Sequence, residues 1–322
     1  MNRTSHPDSD SPPSRDCAPD GAMDQRSPTV DVVIVSYNER DRLLACCESA
    51  LASGPETRVI VVDNGSSDGS ADAVRGCLPS SDLLEMETNL GFGAAVNRGM
   101  AVGNAPFVLL LNNDARLRDN SLDVLVSAMQ DPRIAAAGPQ LLGNSGQVEL
   151  SMGRTMGPLN EAAFKLLGSL YRDGSGPLGR LVKRYYSEDR WTRSLSAACL
   201  LLRREALNQV GVFDERFFLY AEDVDLCRRL TRAGWRLRFV AGAMVEHDRS
   251  ISWRKDPLHV ALAYRHSQMA FYRKHHGVLA AQGLRLYLAV RFAFGSLLAR
   301  GERREVARSM LRWTIKEAGR VR

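Results

Sequence analysis

The chain has 322 residues, 44% of them hydrophobic and 25% charged, and a formal net charge of +6. That is enough chain for a substantial core, and the composition is that of an ordinary globular protein rather than a disordered one. Its six cysteines show no C-x-x-C spacing, which argues for reduced, buried thiols over zinc or disulfide frameworks; no secretory signal and no uncharged apolar run of about 18 residues is read from it.

Residues 1–28 are rich in Ser, Pro and Asp and read as a disordered leader. The β-branched run over 31–36 predicts a buried parallel strand. A helix is expected over 40–52, from Leu43, Leu44, Cys47 and Leu51, and a second strand over 58–63. That strand closes in Asn64-Gly65-Ser66-Ser67-Asp68-Gly69, a strong turn signal. A helix over 71–77 and a weak strand over 83–87 follow. After Asn89-Leu90-Gly91-Phe92 a helix is expected over 93–102, and Pro106 starts a strand over 107–111. Helix 121–129 and strand 134–137 continue an alternation that predicts an α/β sheet with right-handed crossovers.

Residues 143–193 are irregular, Gly-rich and carry the basic pair Lys183-Arg184. They read as an insertion with partial helix on the acceptor side. Regularity returns in strand 196–202, helix 204–210, helix 222–233 and strand 236–240. From Leu258 onward the chain reads as helical, and much of the basic excess collects there. Leu286, Val290, Ala293, Leu297 and Leu298 make one apolar helix face. Such a basic amphipathic helix suits an anionic membrane surface; packing against the rest of the protein explains the pattern equally well.

Six stretches carry chemistry. Ser36-Tyr37-Asn38 ends the first strand, where an aromatic can stack on a base or merely cover the sheet edge. Asp63 ends the second, where a carboxylate can accept from a pyrimidine N–H or a ribose hydroxyl, or brace the turn at Asn64. Gly91 and Gly93 open a helix that also carries Asn97; small residues there admit a ligand close to backbone N–H groups, or serve tight packing. The sharpest signal is Leu109-Leu110-Leu111-Asn112-Asn113-Asp114, an apolar strand that ends in polar groups with a carboxylate last. Mg²⁺ or Mn²⁺ needs such hard oxygen ligands together with substrate phosphates. Farther on, Glu222-Asp223-Val224-Asp225 opens a helix behind Phe217, Phe218 and Tyr220. First-turn acids often only complement the helix dipole, but aromatics that desolvate a carboxylate make it a better general base. His247, in Val245-Glu246-His247-Asp248, is a further metal-ligand candidate, though a lone His is more often structural.

In this order the segments resemble family 2 glycosyltransferases, over about residues 30–250, and most of all the rhamnosyltransferase-type branch. The resemblance implies a GT-A, Rossmann-like nucleotide-binding fold: a mixed, mostly parallel central sheet flanked by helices, with a C-terminal helical extension. It implies a GT-A domain over 29–255, with a nucleotide-sugar half at 29–142 and an acceptor half at 143–255, and a basic helical extension at 256–322. Tyr37 and Asp63 would hold the base or ribose, with Ser36, Asn38, Asn64, Gly91, Asn97, Asn112 and Asn113 around the donor. Asn112-Asn113-Asp114 matches the family's D-x-D motif with Asn at its first position, which leaves Asp114 as the metal ligand. His247 matches a metal-binding His of some relatives. Asp223 matches the catalytic base of the E-D motif, with Glu222 supporting the acceptor. The activity implied is inverting, metal-assisted transfer of a sugar, rhamnose among the candidates, from a nucleoside-diphosphate sugar to a glycan or lipid-linked acceptor in cell-surface polysaccharide synthesis. The expected location is cytoplasmic, peripheral to the inner face of the plasma membrane, with no nucleic-acid partner. A nucleotidyltransferase is the competing enzyme class, but it usually shows a glycine-rich basic loop after the first strand, where this chain has Ser36-Tyr37-Asn38-Glu39-Arg40. A non-catalytic sugar-nucleotide binder is the other alternative; Asp114 and Glu222-Asp223 argue against it.

Overall fold

The computed structural model describes residues 29–53, 56–153, 155–157, 160–161, 163, 166–167, 171, 176–248, 257–316 and 318. The leader expected over 1–28 lies outside the described residues, as do residues 249–256. The first half alternates β1 (Val30–Ser36), α1 (Arg40–Leu51), β2 (Thr57–Asp63), α2 (Ser70–Cys77), β3 (Asp82–Glu85), α3 (Phe92–Val102) and β4 (Phe107–Asn112). Then come β5 (Ala115–Leu117), α4 (Ser121–Ala128), β6 (Ile134–Leu142), β7 (Met152–Gly153), α5 (Gly176–Tyr185), β8 (Arg190–Thr192), β9 (Ser194–Leu195) and β10 (Cys199–Arg203). The last elements are α6 (Arg204–Val210), α7 (Glu222–Arg232), β11 (Arg236–His247), α8 (Pro257–Leu298) and α9 (Glu302–Lys316).

The main sheet runs β3-β2-β1-β4-β10-β6-β11-β5, with β8 also paired to β11. β3, β2, β1, β4, β6 and β11 share one direction, and β10, β5 and β8 run against it. Alternating side chains divide between two apolar layers. Val32, Ile34, Leu109 and Leu111 pack with α1 residues Leu43, Cys46 and Cys47. Val33, Val108 and Leu110 pack with Val96 and Met100 of α3 and Leu226 of α7. A sheet covered on both faces needs near-continuous apolar strands, which is what β1, β2 and β4 supply. Asp31, fully buried in β1, is matched by the Arg204 guanidinium at 2.7 Å and the Ala105 N–H at 2.8 Å. Cys46, Cys47, Cys199 and Cys227 are buried and unbridged, and burial pushes the Cys47 thiol up to about 12.

Five elements depart from the sequence expectation, two of them the short strands β7 and β8 inside the segment 143–193 read as irregular. β5 is new, a three-residue strand whose middle residue is the exposed Arg116. β6 and β11 run well past their expected ends. Gly138-Pro139 and Ala241-Gly242, just past the expected ends at 137 and 240, sit at a bulge inside the ladder. Val240 pairs with Pro139, but Gln140 pairs with Met244, so Ala241, Gly242 and Ala243 leave the ladder. A proline lacks the N–H that a ladder needs and is tolerated at such a position.

The C-terminal helices also refine the expectation. α8 is two helices joined at Gly277, where φ is 84°. Its second half turns back beside the first, since the Arg265 guanidinium lies 5.9 Å from the Phe292 ring centroid. α9 packs on that second half, with Arg285 donating to Thr314 O and Ile315 O. Leu279, Leu286, Val290, Phe294, Leu297 and Leu298 point outward and are exposed. By length and composition α8 is long and apolar enough to cross a bilayer, with a mean hydropathy of 1.2 in its best 18-residue window. The sequence reading had found no such segment.

Candidate active site

The site lies outside the carboxyl ends of β1, β2 and β4, where the chain passes from the β3 side to the β10 side of the sheet. Open parallel sheets take ligands at that switch point. β1 ends at Ser36 opposite Asp63, and Val35 pairs with Asn112, so register alone collects the three predicted strand ends. Tyr37 is 47% exposed there, open to stacking.

Most of the neighbouring polar side chains hold one another. Asn113 Nδ2 donates to Ser36 Oγ at 3.2 Å. Asp63 Oδ1 accepts the Ser66 N–H at 3.0 Å, the turn-bracing role weighed from the sequence. Asn38, in the left-handed region at φ 54°, accepts the Ser67 N–H at 2.8 Å. Asn64 is buried; its Oδ1 accepts the Leu90 N–H at 2.9 Å, and its Nδ2 donates to Asn89 Oδ1 and Gly91 O. Gly91 is required for packing: at φ 85° an added Cβ would meet Phe218 O at 2.5 Å.

Asn97 corrects the donor expectation. Its Oδ1 accepts the Phe213 N–H, and its Nδ2 donates to Phe213 O and Glu215 Oε1. The amide is spent on a loop 116 residues away and is not available to a ligand.

The metal corner is built by a strand ladder. β5 pairs antiparallel with β11 so that His247 stands opposite Ala115, and the Asp248 N–H donates to Asp114 O at 3.0 Å. His247 Nε2 comes within 3.4 Å of Asp114 Oδ1. Behind it, His247 Nδ1 meets Glu149 Oε2 at 3.0 Å. Glu149, buried between Val148 and Leu150, was missed from the sequence; a lone acid in an apolar run is the one hint it gave. A carboxylate on Nδ1 fixes the ring and turns Nε2 toward Asp114. Burial alone would lower the His247 pKa, but the Asp114 and Glu149 carboxylates outweigh it and hold it at about 9. Arg42 locks the strand end through the Asp248 carboxylate and carbonyl.

This corner fits a hard divalent cation. Asn112 Oδ1 is buried with no hydrogen-bond partner, and Asp114 Oδ1, also buried, has only the long 3.4 Å contact with His247 Nε2. Among the described residues no group of three or more His, Cys, Asp and Glu side chains could hold a metal unaided. Asp114 and the neighbouring His247 could thus supply at most two ligands to such an ion, which would need substrate oxygens for the rest.

Asp223 stands across a short bridge. Its Oδ2 accepts the Ala197 N–H at 3.2 Å, while the next carbonyl, Ala198 O, accepts the Asn112 N–H at 2.9 Å. Two adjacent residues thus join the acidic clusters. Asp223 also lines a cavity of about 710 Å³, walled by Met152, Met156, Leu178, Tyr186, Val224 and Tyr264 among others. The other acids of the motif go elsewhere. Glu222 is buried, with Oε2 unpartnered; burial, then the Asp223 charge, raises it well above the usual carboxylate range. Asp225 is fully buried among Arg229, Lys274 and His275. The aromatics before them spread out: Phe217 enters the core with Phe271, and Tyr220 meets Tyr264 edge-on at 5.8 Å.

Residues 31–211 match the Glycosyl transferase family 2 model, and residues 187–312 match Glycosyl transferase family group 2. An N-acetylglucosaminyl-diphospho-decaprenol L-rhamnosyltransferase of Mycobacterium tuberculosis is 33% identical over 300 residues, covering 85% of this chain and 96% of that one. The O-antigen biosynthesis protein RfbC of Myxococcus xanthus is 30% identical over 240 residues, 72% of this chain and 18% of that one. Among solved structures, a mannosyltransferase of Pyrobaculum calidifontis in complex with GDP-Man and Mn²⁺ aligns at a TM-score of 0.53 and 16% identity, over 92% of this chain and 86% of that one. GalNAc-T7 with UDP, GalNAc and Mn²⁺ aligns at 0.57 and 14%, over 91% of this chain and 57% of that longer one.

Proposed function

The chain belongs to glycosyl transferase family 2, with the GT-A fold, and from that premise we propose that it is an inverting transferase of lipid-linked glycan synthesis. It moves a sugar, rhamnose first among those to test, from a nucleoside-diphosphate donor to an acceptor hydroxyl in cell-envelope polysaccharide assembly. The observation that carries this reading is the bridge of Ala197 and Ala198 between Asp223 and the Asn112 strand end. It supports one site with a metal pole and a base pole on either side of a single sugar.

Tyr37 stacks on the base, and the Asp63 turn borders the ribose. Asp114 and His247 would hold Mg²⁺ or Mn²⁺. When bound, the ion offsets the charge that builds on the departing diphosphate. Asp223 takes the proton of the acceptor hydroxyl as that oxygen bonds to the anomeric carbon. The bond from that carbon to the diphosphate oxygen breaks on the opposite face, and configuration inverts. Glu222, raised toward its neutral form by burial and the Asp223 charge, stands beside the base and supports acceptor binding.

The protein works in the cytoplasm at the inner face of the plasma membrane, where such acceptors are found. The outward apolar stripe of α8 and the neighbouring arginines support peripheral docking on anionic lipid.

The test is paired. Asp223→Asn is expected to lower kcat by about 10²- to 10⁴-fold while donor affinity in Mn²⁺ stays within about twofold. Asp114→Ala is expected to abolish the metal dependence of donor binding. Turnover retained in the first variant, or metal dependence retained in the second, removes that residue from its role.

A further inference from the structure

The acceptor reading says what the molecule would take but not which element recognises it, and the cavity beside Asp223 addresses that. At about 710 Å³ it falls within the range of small-molecule sites. The donor-side residues Tyr37, Asp63 and Asp114 do not line it. Its walls carry two carboxylates, Asp223 and Glu161, the latter held by Gln268 Nε2 and Tyr272 OH. A phosphate inside would face both. A neutral sugar ring would not, and its C–H face suits tyrosine and methionine walls.

α5 forms one side of this cavity and divides its residues sharply. At about 100° per residue, Leu178, Leu181, Val182 and Tyr185 share one stripe, and all four line the cavity. Leu181 is nevertheless 64% exposed and Tyr185 51%, so the cavity opens to solvent along that edge of the helix. The next positions around the helix on that same side are Arg184 and Arg180, an i, i+4 pair, both exposed. Lys183 is exposed too, but lies on the far side. Exposed apolar surface at the mouth thus adjoins guanidinium groups, Arg184 and Arg180 on the next helix positions and Arg190 at 4.4 Å from the Tyr185 ring centroid, the chemistry that meets an anionic amphiphile.

We propose that α5 reads the acceptor in three parts. The sugar ring enters the cavity beside Asp223, its diphosphate linker stops at the mouth against Arg180 and Arg184, and the lipid chain leaves over Leu181 and Tyr185. This rests on the lipid-linked acceptor reading above and adds the element that distinguishes a linked sugar from a free one.

The experiment compares two acceptors on the full-length enzyme: N-acetylglucosamine linked through diphosphate to a short prenol, and the methyl glycoside of the same sugar. The readout is the ratio of their kcat/KM values. In Arg180→Ala/Arg184→Ala the preference for the linked acceptor is expected to fall at least tenfold. In Lys183→Ala it is expected to stay within about twofold of wild type. The wild-type preference should also weaken as salt rises, because the mouth is exposed and its charges are screened. An unchanged preference in the double variant, or an equal loss in Lys183→Ala, overturns the inference. Wild-type transfer to both acceptors without preference overturns it while leaving the parent reading intact; wild-type transfer to neither removes both.

Discussion

The two walls of the site are made of different material. On the donor wall, strand ends and tight turns hydrogen-bond one another through Asn38, Asp63, Asn64 and Asn113. On the acceptor wall, Asp223 rests on two backbone N–H groups and faces a cavity lined largely by aliphatic and aromatic side chains. On the function proposed above, the first wall meets a nucleoside diphosphate, which fixed dipoles recognise when they are locked before it arrives. The second meets an acceptor sugar, which fits by shape.

The comparison is broken or sharpened by three further variants, in order of expected effect. Asn64→Ala strips partners from the Leu90 N–H, Asn89 and Gly91 O at a buried position, and should cost about 3 kcal/mol of stability by denaturant titration. If the walls are independent, the surviving fold loses donor affinity with little change in acceptor KM; equal changes in both would unite them. Glu149→Ala leaves both proposed metal ligands in place but frees the imidazole, and should weaken Mn²⁺ binding about 10- to 100-fold, read by Mn²⁺ electron paramagnetic resonance with nucleoside diphosphate present. Unchanged Mn²⁺ affinity would mean that His247 needs no backing carboxylate.

The smallest effect concerns acid. Burial tends to raise Asp214 and Asp225, but Arg216 and Lys274 hold the first, and His275, Lys274 and Arg229 the second, below the ordinary value of 3.8. Their stabilisation is full above that value and is lost as pH falls through the depressed ones. The stability gap between wild type and Lys274→Met should therefore be constant above about pH 4 and shrink below it, by urea titration at each pH. A gap that persists at pH 2 would assign the Lys274 contribution to packing rather than charge.

Much of the fold was legible because its signals are local. β-branched runs with glycine turns between them gave β1, β2 and β4 to within a residue or so, and α6 to the residue. The lengths of β6 and β11 were not legible: strands expected to stop at 137 and 240 continue through a bulge at Pro139 and residues 241–243, which only the pairing across the sheet reveals. In the site, Asp114 and Asp223 stood out as acids after apolar or aromatic runs. The meeting of Asp114 with His247 followed only from the family resemblance and not from the residues themselves, because the β5–β11 register that makes it joins residues more than 100 positions apart. Asn97 misled for the same reason: its partners lie at Phe213 and Glu215, and no neighbour in the sequence reveals that its amide is occupied.

The three residues that leave the ladder at Ala241, Gly242 and Ala243 divide one strand between two tasks. Upstream of them, β11 is zipped to β8; downstream, it carries the His247 imidazole to Asp114. The extra residues let the strand bend and twist in between, so that neither end's pairing dictates the alignment of the other.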